Sequence, residues 1–149
     1  MLGVSDFFNI HAPLDQIIVI RIFLSLWSLL GIVSVYYLTL ALYPGQKGIA
    51  FLTALVTSLW GYFIYANMRT LGECMSLPSL LCGFWLFYVG LRQTKRMSLI
   101  IAGIMMGLSV ALKVQSGLFL IGMGLYGLYQ KHVKALLYVG VGFLIMYLR

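Results

Sequence analysis

An all-α, polytopic transmembrane helix bundle of about six segments, with its N-terminus outside, is the architecture this sequence predicts. Three observations carry that expectation. Of the 149 residues, 62% are hydrophobic and only 9% charged, against about 45–50% apolar and about 25% charged in a soluble domain. Several apolar stretches approach the roughly 20 residues needed to cross a bilayer core, and the mean hydropathy is +1.03. The basic residues fall mostly in short gaps between those stretches, where cytoplasmic membrane loops carry them. Together these exclude a water-soluble globular domain and a disordered chain, which needs low hydrophobicity and high charge. Ten Lys and Arg against three Asp and Glu give a net charge of +7. In a soluble protein that excess points to nucleic acid; here it reads as topology, and no nucleic-acid partner is expected. The expected partner is the lipid bilayer, and the expected location a multi-pass position in the plasma or inner membrane, or in the endoplasmic reticulum of a eukaryote.

Residues 1–16 lack the basic start and apolar run of a signal peptide. Ile17–Tyr43 is long enough to span with tilt, with Pro13 marking its start and Asp15 as the expected N-cap. The helix breakers of Pro44-Gly45-Gln46-Lys47-Gly48 form a tight turn. Ile49–Ala66 is a second span, residues 67–73 a polar interruption, and Cys74–Leu91 a third span. Cys74 and Cys82 share that helix, about 12 Å apart along its axis, too far to pair without breaking it. After the basic loop 92–96 come three shorter apolar segments: Ser98–Leu112, Gly117–Tyr129 and Ala135–Leu148. Residues 113–116 and the basic turn 130–134 separate them. The whole of 1–149 reads as one transmembrane domain.

If the segments alternate, the loops around 44–48, 92–98 and 130–134 share one side. That side holds Lys47, Arg92, Lys95, Arg96, Lys131 and Lys134 and no acid, while Asp6, Asp15 and Glu73 lie on the other. The positive-inside rule puts the basic loops in the cytoplasm. A rival topology makes residues 98–129 one helix about 48 Å long, against a hydrocarbon core of about 30 Å, with Lys113 near the middle. It splits the positive charge, and six segments is the better reading.

Under this topology Asp6, His11, Asp15, Arg21, Arg69, Glu73, Lys113 and Gln115 gather toward the outer face. Charged groups in or beside spans are costly and by default mark a polar cavity or a partner. Simpler roles compete at each position. Arg69 and Glu73 are spaced i, i+4 for a helix-surface pair, and Thr70 with Glu73 fits a capping box. Lys113 and Arg21 can snorkel to the interface. Against those roles, Glu73 is the only Glu in the chain and stands at a helix mouth. A carboxylate there is a candidate for a divalent metal ion or a sugar hydroxyl, and the basic groups are candidates for phosphate.

Gly103-Ile-Met-Met-Gly107 is a small-xxx-small pattern, continued by Gly117, Gly122, Gly124, Gly127, Gly140 and Gly142, and reads as close helix packing. Gly122, Gly124 and Gly127 match a dinucleotide fingerprint by spacing alone, with no strand before them, and are set aside. Trp27, Trp60 and Trp85 sit mid-segment as packing residues. No Ser-His-Asp set, HExxH motif or DxD pair is present.

The order of these features resembles the membrane core of a GT-C-type integral-membrane glycosyltransferase. Arg21-Ile-Phe-Leu-Ser-Leu opens a helix, and Lys47-Gly-Ile-Ala-Phe-Leu52 follows a cytoplasmic turn. Tyr65-Ala-Asn-Met-Arg-Thr-Leu-Gly-Glu73 is similar to the Arg-Thr-x-x-Glu stretch of mannosyltransferases that build lipid-linked glycans and GPI anchors. Ala102 to Gln115 looks like the Gly-Leu-x-x-Leu-x-Lys element of protein-O-mannosyltransferase-like enzymes. It also looks like the Arg-x-Gln element of the GPI branch, with Lys113 in place of Arg. The likeness runs from Arg21 onward.

The resemblance implies transfer of a sugar from a polyprenyl- or dolichyl-phosphate carrier to an acceptor on the non-cytoplasmic face. It puts Glu73 near the donor phosphate or its metal, and Arg21, Arg69, Lys113 and Gln115 on the substrate-binding side. A carboxylate base would activate the acceptor hydroxyl while cations stabilise the leaving lipid phosphate. On this likeness the chain starts after the family's first helix, with Asp6 and Asp15 in the remnant of the acidic outer loop that carries the base. Neither sits in a recognisable catalytic motif. The catalytic residue is therefore unassigned, and the chain is expected to be part of a larger enzyme. The alternative from another class is a non-enzymatic polytopic membrane protein, such as a transporter subunit or assembly partner.

Overall fold

The computed structural model describes residues 13–59 and 71–148, with side chains described over 17–59 and 75–148. The described chain is all-α: 91% is helical, in six helices and no strand. They are α1 (Pro13–Leu42), α2 (Lys47–Leu59), α3 (Leu71–Gln93), α4 (Arg96–Leu112), α5 (Gly117–Tyr129) and α6 (Val133–Tyr147), with a 3₁₀ turn at Val114–Ser116.

The breaks near 44–46, 113 and 130–132 fall where the sequence puts them. Residues 71–73, expected in the polar interruption, instead form the first turn of α3, and 67–70 lie outside the described residues. Leu42 is followed by Pro44, which cannot continue a helix, and by Gly45 at φ 88°. Lys113 takes an extended conformation (φ −150°, ψ 105°) between α4 and the 3₁₀ turn, so residues 98–129 are not one helix. α5 ends in a Schellman turn: His132 N donates to Gly127 O and Lys131 N to Leu128 O, both 2.9 Å, with Lys131 at φ 58°. That arrangement satisfies two carbonyls that a helix end leaves open. Asp15 is a correction, since it lies inside α1, two residues past Pro13, rather than at the cap.

Two stretches, Ile17–Leu42 and Met75–Gln93, are long and apolar enough to cross a membrane. The described lengths of the other four helices, 13 to 17 residues, correspond to about 20–26 Å, short of a core of about 30 Å. Large apolar side chains are exposed on most helices, among them Leu26, Phe51, Leu118, Phe119, Leu125 and Leu137.

The packing order is α2, α1, α3, α4, α6, α5, each against the next. α1 and α3 run parallel with an offset of 47–48 residues, seen where Trp27 Nε1 donates to Met75 O at 3.1 Å and Tyr88 Oη to Ala41 O at 3.3 Å. Between those points Gly31 meets Pro78 and Tyr37 stacks on Trp85 at 5.5 Å. α4 returns antiparallel to α3, with Gly90 against Leu99, Gly83 against Met106, and Ser109 Oγ donating to Ser76 O at 2.9 Å. α6 lies parallel to α4, where Gly103 faces the Val139 carbonyl and Gly142 that of Ile100. The core is Phe87, Leu99, Ala102, Met106, Met123, Ala135 and Val139. Of the glycines expected to pack, Gly103, Gly107, Gly127 and Gly142 have close neighbours, but Gly117, Gly122, Gly124 and Gly140 face open space.

Candidate functional site

The helix directions sort the charges between two ends of the bundle. α1 and α3 finish at one end, α4 and α6 begin there, and the turns 43–46, 94–95 and 130–132 connect them. Lys47, Arg92, Lys95, Arg96, Lys131 and Lys134 therefore stand together at what is here termed the basic end, all exposed. Two of these cations lie over aromatic rings. The Arg92 guanidinium is 5.1 Å from the Tyr88 centroid and that of Arg96 is 5.8 Å from Tyr138.

The opposite end carries the sequence-predicted site. The offset between α1 and α3 sets the backbone of Glu73 level with Ser25, one turn from Arg21. Four residues beyond the Ser109–Ser76 contact, Lys113 comes level with Gly72 and Glu73 on the other flank of α3. Arg21 is exposed on α1, more than two turns in from Pro13 rather than the single turn suggested by a start at Ile17. Lys113 is half-buried; its N–H donates to Ser109 O and its carbonyl accepts from Ser116 N, each at 2.9 Å. Gln115 is exposed in the 3₁₀ turn. The fold thus brings Arg21, the backbone of Glu73, Lys113 and Gln115 to one end. The side chains of Glu73 and Asp15, and all of Asp6, His11, Arg69 and Thr70, lie outside the described residues. Among the described residues no three His, Cys, Asp or Glu side chains stand together.

Directly below this end runs a polar seam that sequence reasoning missed. Pro78 inside α3 supplies no N–H, which disturbs the carbonyls one turn earlier. The carbonyl that Pro78 would have served is that of Cys74, and its neighbour Met75 O accepts from Trp27 Nε1 and from Ser79 Oγ. Ser34, Ser76, Ser79 and Ser109 are all buried along the α1–α3–α4 contact. Every buried side-chain nitrogen or oxygen described has a hydrogen-bond partner, as an apolar surrounding demands. The available signal was Ser76, Pro78 and Ser79 within one turn of an otherwise apolar helix.

Comparison with protein-family models, curated proteins and solved structures finds no match.

Proposed function

We propose that this chain is a multi-pass membrane protein whose basic end lies in the cytoplasm. Its opposite end would hold the phosphate of a polyprenyl- or dolichyl-linked sugar, as part of a GT-C-type, mannosyltransferase-like glycosyltransferase. The observation that carries the reading is the gathering of Arg21, the Glu73 backbone and Lys113 within about one helical turn of the start of α3. Supporting it are the exposed apolar side chains around the bundle and the gathering of three acid-free basic turns at the other end, as the positive-inside rule requires. Lys113 supplies a point charge and Arg21 a two-pronged donor for a lipid phosphate leaving group. Glu73 would serve the donor side, through a sugar hydroxyl or a divalent metal ion. The base that activates the acceptor is not assigned.

The test is sugar transfer in proteoliposomes, from polyprenyl-phosphate mannose first, by wild-type, Lys113→Gln and Glu73→Gln proteins. Loss of a charge-assisted contact of about 1.5–3 kcal/mol should slow transfer by Lys113→Gln about 10- to 100-fold. Equal transfer by all three proteins sinks the site. A second reading, a non-enzymatic assembly partner, draws on α5, which packs mainly against α6 and leaves Leu118, Phe119, Ile121 and Leu125 uncovered. Absence of transfer from any polyprenyl-phosphate sugar favours it.

A further inference from the structure

At the basic end, the close of α3 and the turn after α5 flank an open cleft of about 230 Å³ lined by Tyr88, Leu91, Arg92, Tyr126, Gln130 and His132. Its polar groups are a guanidinium, an imidazole, a carboxamide and two phenols, with no carboxylate. Arg92 is held over Tyr88, whose hydroxyl is tied to Ala41 O. Gln130 Nε2 lies 3.5 Å from Tyr126 Oη.

Along the same helix a second cleft of about 330 Å³ opens between α4, α5 and α6, lined by Leu120, Met123, Gly124, Val139, Gly140 and Phe143 among other apolar residues. Met123, Tyr126 and Gln130 follow at i, i+3 and i+7, so the two clefts share one stripe of α5. Gly124 and Gly140 face open space, so the apolar cleft is bounded by helix backbone on two sides.

The geometry points to a binding site for one anionic phospholipid, its phosphate in the Arg92–His132 cleft and an acyl chain in the α4–α5–α6 cleft. Charge complementarity selects the headgroup: six cations and no acid stand at this end. Basic pockets between helices near a cytoplasmic surface suit anionic lipid headgroups. The apolar cleft on the same stripe of α5 selects a lipid over a free phosphate. The site lies at the far end from the one proposed for sugar transfer and does not depend on that activity.

The test uses the full chain in detergent, titrated with dioleoylphosphatidylglycerol or dioleoylphosphatidylcholine and read by native mass spectrometry. The anionic lipid should bind about tenfold more tightly. Arg92→Gln should abolish that preference, while Lys47→Gln, at the same end but outside the Arg92–His132 cleft, should keep it. Gly124→Leu should fill the apolar cleft and weaken phosphatidylglycerol binding about tenfold, with an unchanged circular-dichroism spectrum. Glycerol 3-phosphate at equal concentration should not compete. Equal loss in Arg92→Gln and Lys47→Gln overturns the site, because it shows a diffuse charge effect. Competition by glycerol 3-phosphate, or unaltered binding by Gly124→Leu, overturns the lipid assignment.

Discussion

Thr94 holds φ 52° between α3 and α4, a left-handed conformation that is rare for a β-branched residue. Such a residue costs about 1–3 kcal/mol, and its one side-chain hydrogen bond, to Gln93 O, is exposed. Replacing it with Gly removes the Cβ clash at the expense of a more flexible unfolded chain. Thr94→Gly should therefore stabilise the protein by about 1 kcal/mol, seen as a higher melting temperature in detergent. A lower one would show that the turn depends on the threonine hydroxyl. Trp27 is the converse case, an indole whose N–H serves the Met75 carbonyl of the neighbouring helix. Trp27→Phe keeps most of the ring but leaves Met75 O with Ser79 alone. It should cost about 1 kcal/mol, read by the same melt, and an unchanged melting temperature would show that the indole N–H carries no stability.

Between elements, the glycines divide into two kinds that composition cannot separate. A methyl group at Gly103 would run into the Val139 carbonyl of α6, while one at Gly122 meets nothing within 4 Å. Both substitutions to Ala gain the same helix propensity, up to about 1 kcal/mol. Only Gly103→Ala must push two helix backbones apart, at about 1–3 kcal/mol. Gly103→Ala should thus lower the unfolding midpoint in a denaturing detergent, and Gly122→Ala should hold or raise it. Equal effects would mean that α4 and α6 do not pack closely. The same division explains why α5, with Gly117, Gly122 and Gly124 all facing open space, lies against the bundle so lightly. These glycines leave a cleft rather than close one.

Across the whole molecule, alternating helices turn a scattered excess of cations into a polarised body. Single cysteines at Gln46, Lys95 and Lys131, in a Cys74→Ser, Cys82→Ala background, should all react with a membrane-impermeant maleimide from the cytoplasmic side. Gln115→Cys should react only from the other. A mixed pattern among the first three would refute the multi-pass topology. The four shorter helices fit a bilayer only if lipid thins locally or neighbouring elements complete the crossing, each at a modest cost per ångström of mismatch.

The helical class, the six helices and the breaks at Pro44, Lys113 and the 130–132 turn were legible in the sequence. They depend on local chemistry: apolar runs, helix breakers and the cost of charge within a span. Which end the cations of the three basic turns occupy was also legible, because antiparallel connection through short turns leaves little choice. Other features needed the tertiary structure. The near-constant offset that sets Glu73 level with Ser25, and Lys113 level with Glu73, comes from how Trp27, Pro78 and Ser109 fit their neighbours. So does the selection of Gly103 and Gly142, but not Gly122 or Gly124, as contact points. Sequence alone cannot show these features, because a helix with no polar face has no preferred side until another helix packs against it.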